Sequence, residues 1–268
     1  KGRPPSFWDD APVLSLVAVG TDGSDSASSA VAHAARLAEA TGAELAVVHA
    51  YGGTGSLDSP VGTREIGASL LRDVAGRHVP TSRARAVLRE GDPADVLLDV
   101  ARQEGADLIV VGNRGMGRRP ARIGNVPNRI AHRAPCDVLI AQTTRGRRQR
   151  TYGRVLLTTD GSPTAGRAVA VGARLASVVG ADTVLLHVGA DTSVAERTAA
   201  ELQPDLTVEA LTVEGDPART IGDVAAERDC DLIVIGNRGM TGLRRFLASV
   251  PSRVAHEAPC HVLLVKTT

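Results

Sequence analysis

Asp107-Leu108-Ile109-Val110-Val111-Gly112-Asn113-Arg114-Gly115-Met116 returns 124 residues later as Asp231-Leu232-Ile233-Val234-Ile235-Gly236-Asn237-Arg238-Gly239-Met240. Each copy is a short apolar run closing on glycine. That is the pattern of a strand buried on both faces that breaks into a tight turn. Ten residues repeated with one exchange, Val111 for Ile235, mean that the chain is a duplication, so the fold is read once and applied twice.

Three further blocks recur in the same order. Thr21-Asp22-Gly23-Ser24 returns as Thr159-Asp160-Gly161-Ser162, and Gly91-Asp92-Pro93-Ala94 as Gly215-Asp216-Pro217-Ala218. Ala134-Pro135-Cys136 returns as Ala258-Pro259-Cys260. The first block is offset by 138 residues and the others by 124, so the first copy carries about 14 extra residues between Tyr51 and Gly91. Their Gly, Thr, Ser and Asp content predicts a lengthened loop. The reading gives two domains, 12–143 and 153–268. A basic stretch between them, 144–152, reads as a solvated linker rather than a nucleic-acid contact.

Within each copy, strand and helix signals alternate. Val13–Val19, Leu45–Ala50, Ala84–Leu88, Leu108–Val111 and Val138–Ala141 read as strands; Thr183–Val188, Leu206–Val213, Leu232–Ile235 and Val262–Val265 are their later counterparts. Ser24 or Asp25 can cap a helix that Gly42 stops, and Ser162 caps its counterpart with Pro163 in the first helical position. Five strands alternating with about four helices give α/β domains, each a doubly wound, five-stranded parallel sheet. Ligands of such sheets bind beyond the C-terminal strand ends, at the switch in strand order. The last strands, carrying similar edges, are expected to lie near each other in an intramolecular pseudo-dimer, with a homodimer as a further option.

The motifs fall at those strand ends. Gly20, Thr21 and Asp22, with Thr158, Thr159 and Asp160, place an acidic acceptor where an adenine amine or ribose hydroxyls could donate. The alternative is a turn whose Asp only supports the helix cap. Gly112, Arg114 and Gly115, with Gly236, Arg238 and Gly239, could bring backbone N–H groups against phosphate oxygens. Gly124, Asn125 and Val126, with Ala248, Ser249 and Val250, open the next helix, whose N-terminus suits an anion. Val48 and Leu186, on the second strands, complete the candidate pocket. The alternative for the glycines is a packing turn; His49 and His187, at equivalent strand ends, read as packing residues, with lining of the base pocket as the alternative.

These wordings resemble the universal stress protein family, in the form with two such domains in one chain known from actinobacteria. The resemblance covers essentially the whole chain except the first dozen residues and the linker. It extends to the closing Ser249-Val250-Pro251-Ser252-Arg253-Val254-Ala255-His256 run. It implies a five-stranded parallel sheet per copy and often ATP in a strand-end cleft, with Mg as its companion; AMP and cyclic AMP are alternatives. The family's phosphate signature has nine residues between its second and third glycines, followed by Ser or Thr. Both copies here have eight. Asn125 stands where Ser or Thr is usual, and Ala248 where Gly is usual.

Other classes are disfavoured. A net charge of +1 gives no footprint for nucleic acid or an anionic membrane. No apolar stretch reaches bilayer length. Neither a dinucleotide fingerprint nor a P-loop occurs. No metal-ligand cluster is read, and no nucleophile, base and orienter recur together, so no catalytic residue is assigned. Slow ATP hydrolysis stays open, as does a nucleotide-free interaction module. Three cysteines with no close pair in sequence, and no legible signal peptide, point to the cytoplasm.

Overall fold

The computed structural model describes residues 13–52, 64–78, 83–113, 124–142, 152–202, 206–237 and 249–267. Arg114, Gly115, Arg238, Gly239, Ala248 and linker residues 144–151 lie outside these residues, while Tyr152, read as the last residue of a solvated linker, is buried.

In the first domain the order is β1 (Leu16–Gly20), α1 (Asp25–Thr41), β2 (Glu44–Gly52), α2 (Arg64–His78), β3 (Ala84–Gly91), α3 (Pro93–Glu104), β4 (Leu108–Gly112), α4 (Asn125–Arg133) and β5 (Asp137–Ala141). The second repeats it: β6 (Arg154–Thr159), α5 (Pro163–Val179), β7 (Asp182–Val188), α6 (Ser193–Ala200), β8 (Val208–Val213), α7 (Pro217–Glu227), β9 (Leu232–Asn237), α8 (Val250–Glu257) and β10 (His261–Lys266). The predicted caps are in place. The Ser24 and Ser162 hydroxyls accept from the N–H groups of Ala27 and Ala165, and Gly42 closes α1 in the left-handed conformation.

Each domain is parallel, ordered β3-β2-β1-β4-β5 and its counterpart, with the order switching between β1 and β4 and between β6 and β9. The last strands pair directly: β5 and β10 run antiparallel, Leu139 opposite Leu263, and fuse the two sheets into one of ten strands. The expected proximity of these strands therefore takes the form of a hydrogen-bonded seam. Two apolar clusters cover the sheet, one on each face. Helices α1, α2, α5 and α6 pack on one side and α3, α4, α7 and α8 on the other; each cluster draws residues from both domains.

The extra length of the first copy differs from the sequence reading. Part of it is helical: α2 has 15 residues where α6 has 8. Leu71 and Val74 are buried against the sheet, and the backbone of Gly67 comes so close to His49 that a Cβ there would lie 2.7 Å from the ring. Apolar burial along one stripe overrides a composition that reads as loop.

Side chains also tie the seam. Asn237 Nδ2 donates to the Ala131 carbonyl of α4 at 3.3 Å, and Lys266 Nζ to the Pro135 carbonyl at 3.1 Å. In the other direction Gln142 Nε2 reaches the Ala255 carbonyl of α8 at 3.5 Å, while its Oε1 accepts from Asn113.

Candidate functional site

The turns after β1 and β6 are built alike. Gly23 and Gly161 adopt φ of +80° and +77°, a conformation that explains the glycine in each Asp-Gly-Ser. The aspartate folds back on the turn: Ser24 N donates to Asp22 Oδ1 at 3.0 Å, and Ser162 N to Asp160 Oδ1 at 2.9 Å. The two then differ. The Ser24 hydroxyl also donates to Asp22, at 2.6 Å, whereas the Ser162 hydroxyl lies 2.9 Å from that of Thr164. Asp22 is half-buried; Asp160 is exposed.

His49 and His187 brace these strand ends. Their Nδ1–H groups donate to the Thr21 and Thr159 carbonyls at 2.8 and 3.1 Å. Both rings are buried and hold the residue before the aspartate, in keeping with the packing role expected of them.

Beyond the C-terminal ends of β6 and β9 lies a cavity of about 300 Å³. Thr158, Thr159, Asp160, Leu186, Gly236 and Val250, all singled out in the sequence, line it. Ser249 stands beside them as the cap of α8, its hydroxyl oxygen accepting from Ser252 N. The cavity has further walls that the sequence reading missed: Ser162, Thr164 and Ala165 of the α5 start, Val188, Pro217 and Ile221 of α7, Ile235, Pro251 and Thr267. The signal for several was present, because Pro217 belongs to the repeated Gly-Asp-Pro and Pro251 to the Ser-Val-Pro run. The starts of α5, α7 and α8 converge here, and each brings the positive end of its backbone dipole. Leu186, Val188, Ile221 and Ile235 supply apolar wall; Thr158, Thr159 and Asp160 supply hydroxyls and a carboxylate.

In the first domain Gly20, Thr21, Asp22, Val48, Gly112, Gly124, Asn125 and Val126 occupy the corresponding places. Gly124 is the cap residue of α4 and makes no side-chain cap bond. Asn125 is the first helical residue and is exposed.

The repeated Gly-Asp-Pro serves as a clasp. Asp92 caps α3 and accepts from Ala94 N and Asp95 N while Arg129 of α4 donates to it at 2.7 Å. Asp216 caps α7 and takes both guanidinium arms of Arg253, at 2.7 and 2.8 Å. The Arg253 guanidinium holds the Asp216 carboxyl down at about 2. Each clasp fixes the last helix of its domain against the helix before it, and so sets the helix starts that face the strand-end cleft.

No group of three or more His, Cys, Asp and Glu among the described residues could hold a metal ion. No helix among them is long and apolar enough to cross a membrane. Burial pushes the Cys136 thiol up to about 12, which leaves it a poor nucleophile.

Residues 16–142 and 190–266 match the universal stress protein family. A universal stress protein of Mycobacterium tuberculosis is 34% identical over 148 residues, 48% of this chain and 96% of that protein. A second one from the same organism is 29% identical over 291 residues, 93% of this chain and 96% of its own length. A crystal structure of a universal stress protein from Archaeoglobus fulgidus aligns over 94% of this chain and 98% of its own with a TM-score of 0.75, at 18% identity, which speaks to the fold alone. The matched segments cover well over half of the chain and carry the turn after β1 and both of the paired last strands, and on these grounds the chain belongs to the universal stress protein family.

Proposed function

We propose that the protein binds an adenine nucleotide, ATP first among the candidates, and acts as a stress-response sensor or regulator rather than as a catalyst. The cavity at the switch point of the second domain carries this reading. Its volume falls within the range of small-molecule sites. Apolar walls suit the faces of a purine, and Asp160 with Thr158 and Thr159 suits ribose hydroxyls or an exocyclic amine. The converging starts of α5, α7 and α8 suit phosphates. With no resident metal cluster among the described residues, a magnesium ion would be held chiefly by the phosphates themselves.

The non-catalytic part of the reading rests on what lines the cavity. Its hydroxyls come from Thr and Ser, and among the described lining residues no His or Lys stands to activate them or an attacking water.

Two measurements test this. Purified protein is denatured and the supernatant analysed by mass spectrometry, with adenine nucleotide recovered in proportion to protein as the expected result. Calorimetric titration with ATP, AMP and cyclic AMP then ranks them. Absence of saturable binding for all three refutes the reading. Release of labelled phosphate from ATP at many turnovers per hour overturns the non-catalytic part.

A further inference from the structure

We infer that the chain holds a single nucleotide, in the second domain, and that the first domain's cleft is filled by the protein's own side chains. This rests on the nucleotide reading above and adds to it a stoichiometry and an asymmetry.

The duplicated motifs predict two equal sites, but the packing beneath them is unequal. Gly112 and Gly236 end the fourth strand of each domain. A Cβ on Gly112 would lie 2.5 Å from the Ser26 hydroxyl and 2.8 Å from the Ser26 carbonyl oxygen, so α1 sits hard against this strand end. A Cβ on Gly236 would meet nothing closer than Ala168 at 3.4 Å and the Thr164 carbonyl oxygen at 3.5 Å. Thr164 is the counterpart of Ser26. It lines the open cavity, whereas Ser26 is buried and turned toward Asn113, its hydroxyl 3.4 Å from Oδ1.

A second exchange works in the same direction. Thr158 of the second domain has Gly20 as its counterpart, and Ile221 has Leu97. Leu97 Cδ2 comes within 2.9 Å of where a Gly20 Cβ would stand, so the γ-branched side chain takes the space that the missing one leaves. In the second domain Thr158 keeps its side chain, donates to the Val234 carbonyl at 3.0 Å and lines the cavity together with Ile221. Lastly, both aspartates accept a backbone N–H from the serine two residues on, but Asp22 is half-buried and also takes the Ser24 hydroxyl, while Asp160 is exposed on the cavity wall. In this arrangement the first domain acts as a brace. At the end of its sheet Asn113 donates to Gln142 Oε1, and Gln142 Nε2 reaches the Ala255 carbonyl of α8, the helix whose start lines the occupied cleft.

The test is calorimetric titration of the full chain with ATP and magnesium, on wild type, Asp22→Ala, Asp160→Ala and Gly236→Val, with thermal melts to confirm folding. Gly236→Val adds an arm that does not touch the aspartate turns, at a position where a Cβ meets only ordinary contact distances. The expected result is one ATP per chain. Asp160→Ala and Gly236→Val should each weaken it by roughly tenfold or more, and Asp22→Ala should stay within about twofold. Two ATP per chain overturns the inference while sustaining the nucleotide reading. So does one ATP whose affinity follows Asp22. No saturable binding of ATP, AMP or cyclic AMP overturns the nucleotide reading, and the inference falls with it.

Discussion

Asp137 and His261 hold equivalent places at the starts of β5 and β10, and each receives a backbone N–H from the far end of the strand paired with its own. Lys266 N donates to Asp137 Oδ1 at 2.8 Å, and Gln142 N to His261 Nδ1 at 3.0 Å. An acid closes one end of the seam and an imidazole the other. Next to His261, the His33 ring of α1 lies 4.0 Å away edge-on, and Tyr152 packs against both.

Burial lifts the Asp137 carboxyl to about 6, which favours its protonated form in the folded chain. Its stabilising contribution is therefore complete below pH 4 and is lost as pH rises to about 6. Asp137→Asn keeps the acceptor for Lys266 N and removes the titration. In urea denaturation at pH 4 and pH 7, wild type minus variant should be more positive at pH 4. An unchanged difference contradicts a raised Asp137 carboxyl.

His33 titrates with the opposite sign. Burial first, then His261 and Arg36, hold it at about 3, while Arg36 donates to its Nδ1 at 3.3 Å. The folded chain keeps the ring neutral. Stability is thus full above the ordinary histidine value of 6.5 and declines as pH falls toward 3. His33→Leu should flatten the acid limb of a stability-against-pH curve measured from pH 7 to 4. With the imidazole gone, the Asp137 trend should stand out in that window.

The two motif glycines should respond differently to alanine. Gly112→Ala drives a methyl into the Ser26 backbone and should cost roughly 1–3 kcal/mol. Gly236→Ala, with ordinary contact distances, should stay within about 0.5 kcal/mol. Equal losses in urea denaturation contradict the tighter packing of the first domain.

Asp92 joins a helix cap to a cross-helix ion pair, so Asp92→Ala should destabilise the protein by about 1–2 kcal/mol. Asp99→Ala, on the exposed side of the same helix, is the control and should change stability by less than about 0.5 kcal/mol. Thermal melts of both variants check the difference.

Much of this architecture was legible because the sequence says it twice. Ser24 and Ser162 cap as read, and the strand at Leu108 needed only its apolar run and the closing Gly112. What escaped depended on contacts distant in sequence. The surplus after Tyr51 reads as loop from its Gly, Thr and Ser, yet Leu71 and Val74 carry a helix onto the sheet. The Gly-Asn wording points to phosphate, but Asn113 and Asn237 spend side-chain bonds on the seam, with partners that no local pattern reveals. The inequality of the clefts was harder still. It lies in paired exchanges, Gly20 with Leu97 and Thr158 with Ile221, whose members are about 60–80 residues apart and meet only once the sheet is formed.

The seam between β5 and β10 has a consequence for how freely the halves can differ. In a pair of identical, separate chains, two-fold symmetry forces both ends of such a junction to carry the same residue. Joining the halves in one chain lifts that condition, so Asp137 can be answered by His261. It also makes the pairing intramolecular, at an effective concentration on the order of millimolar, so that the joined sheet persists under dilution that would separate a pair of free subunits. A half secured in this way need not bind anything to keep its place. It can give its cleft over to packing and still supply the strand against which the other half is built.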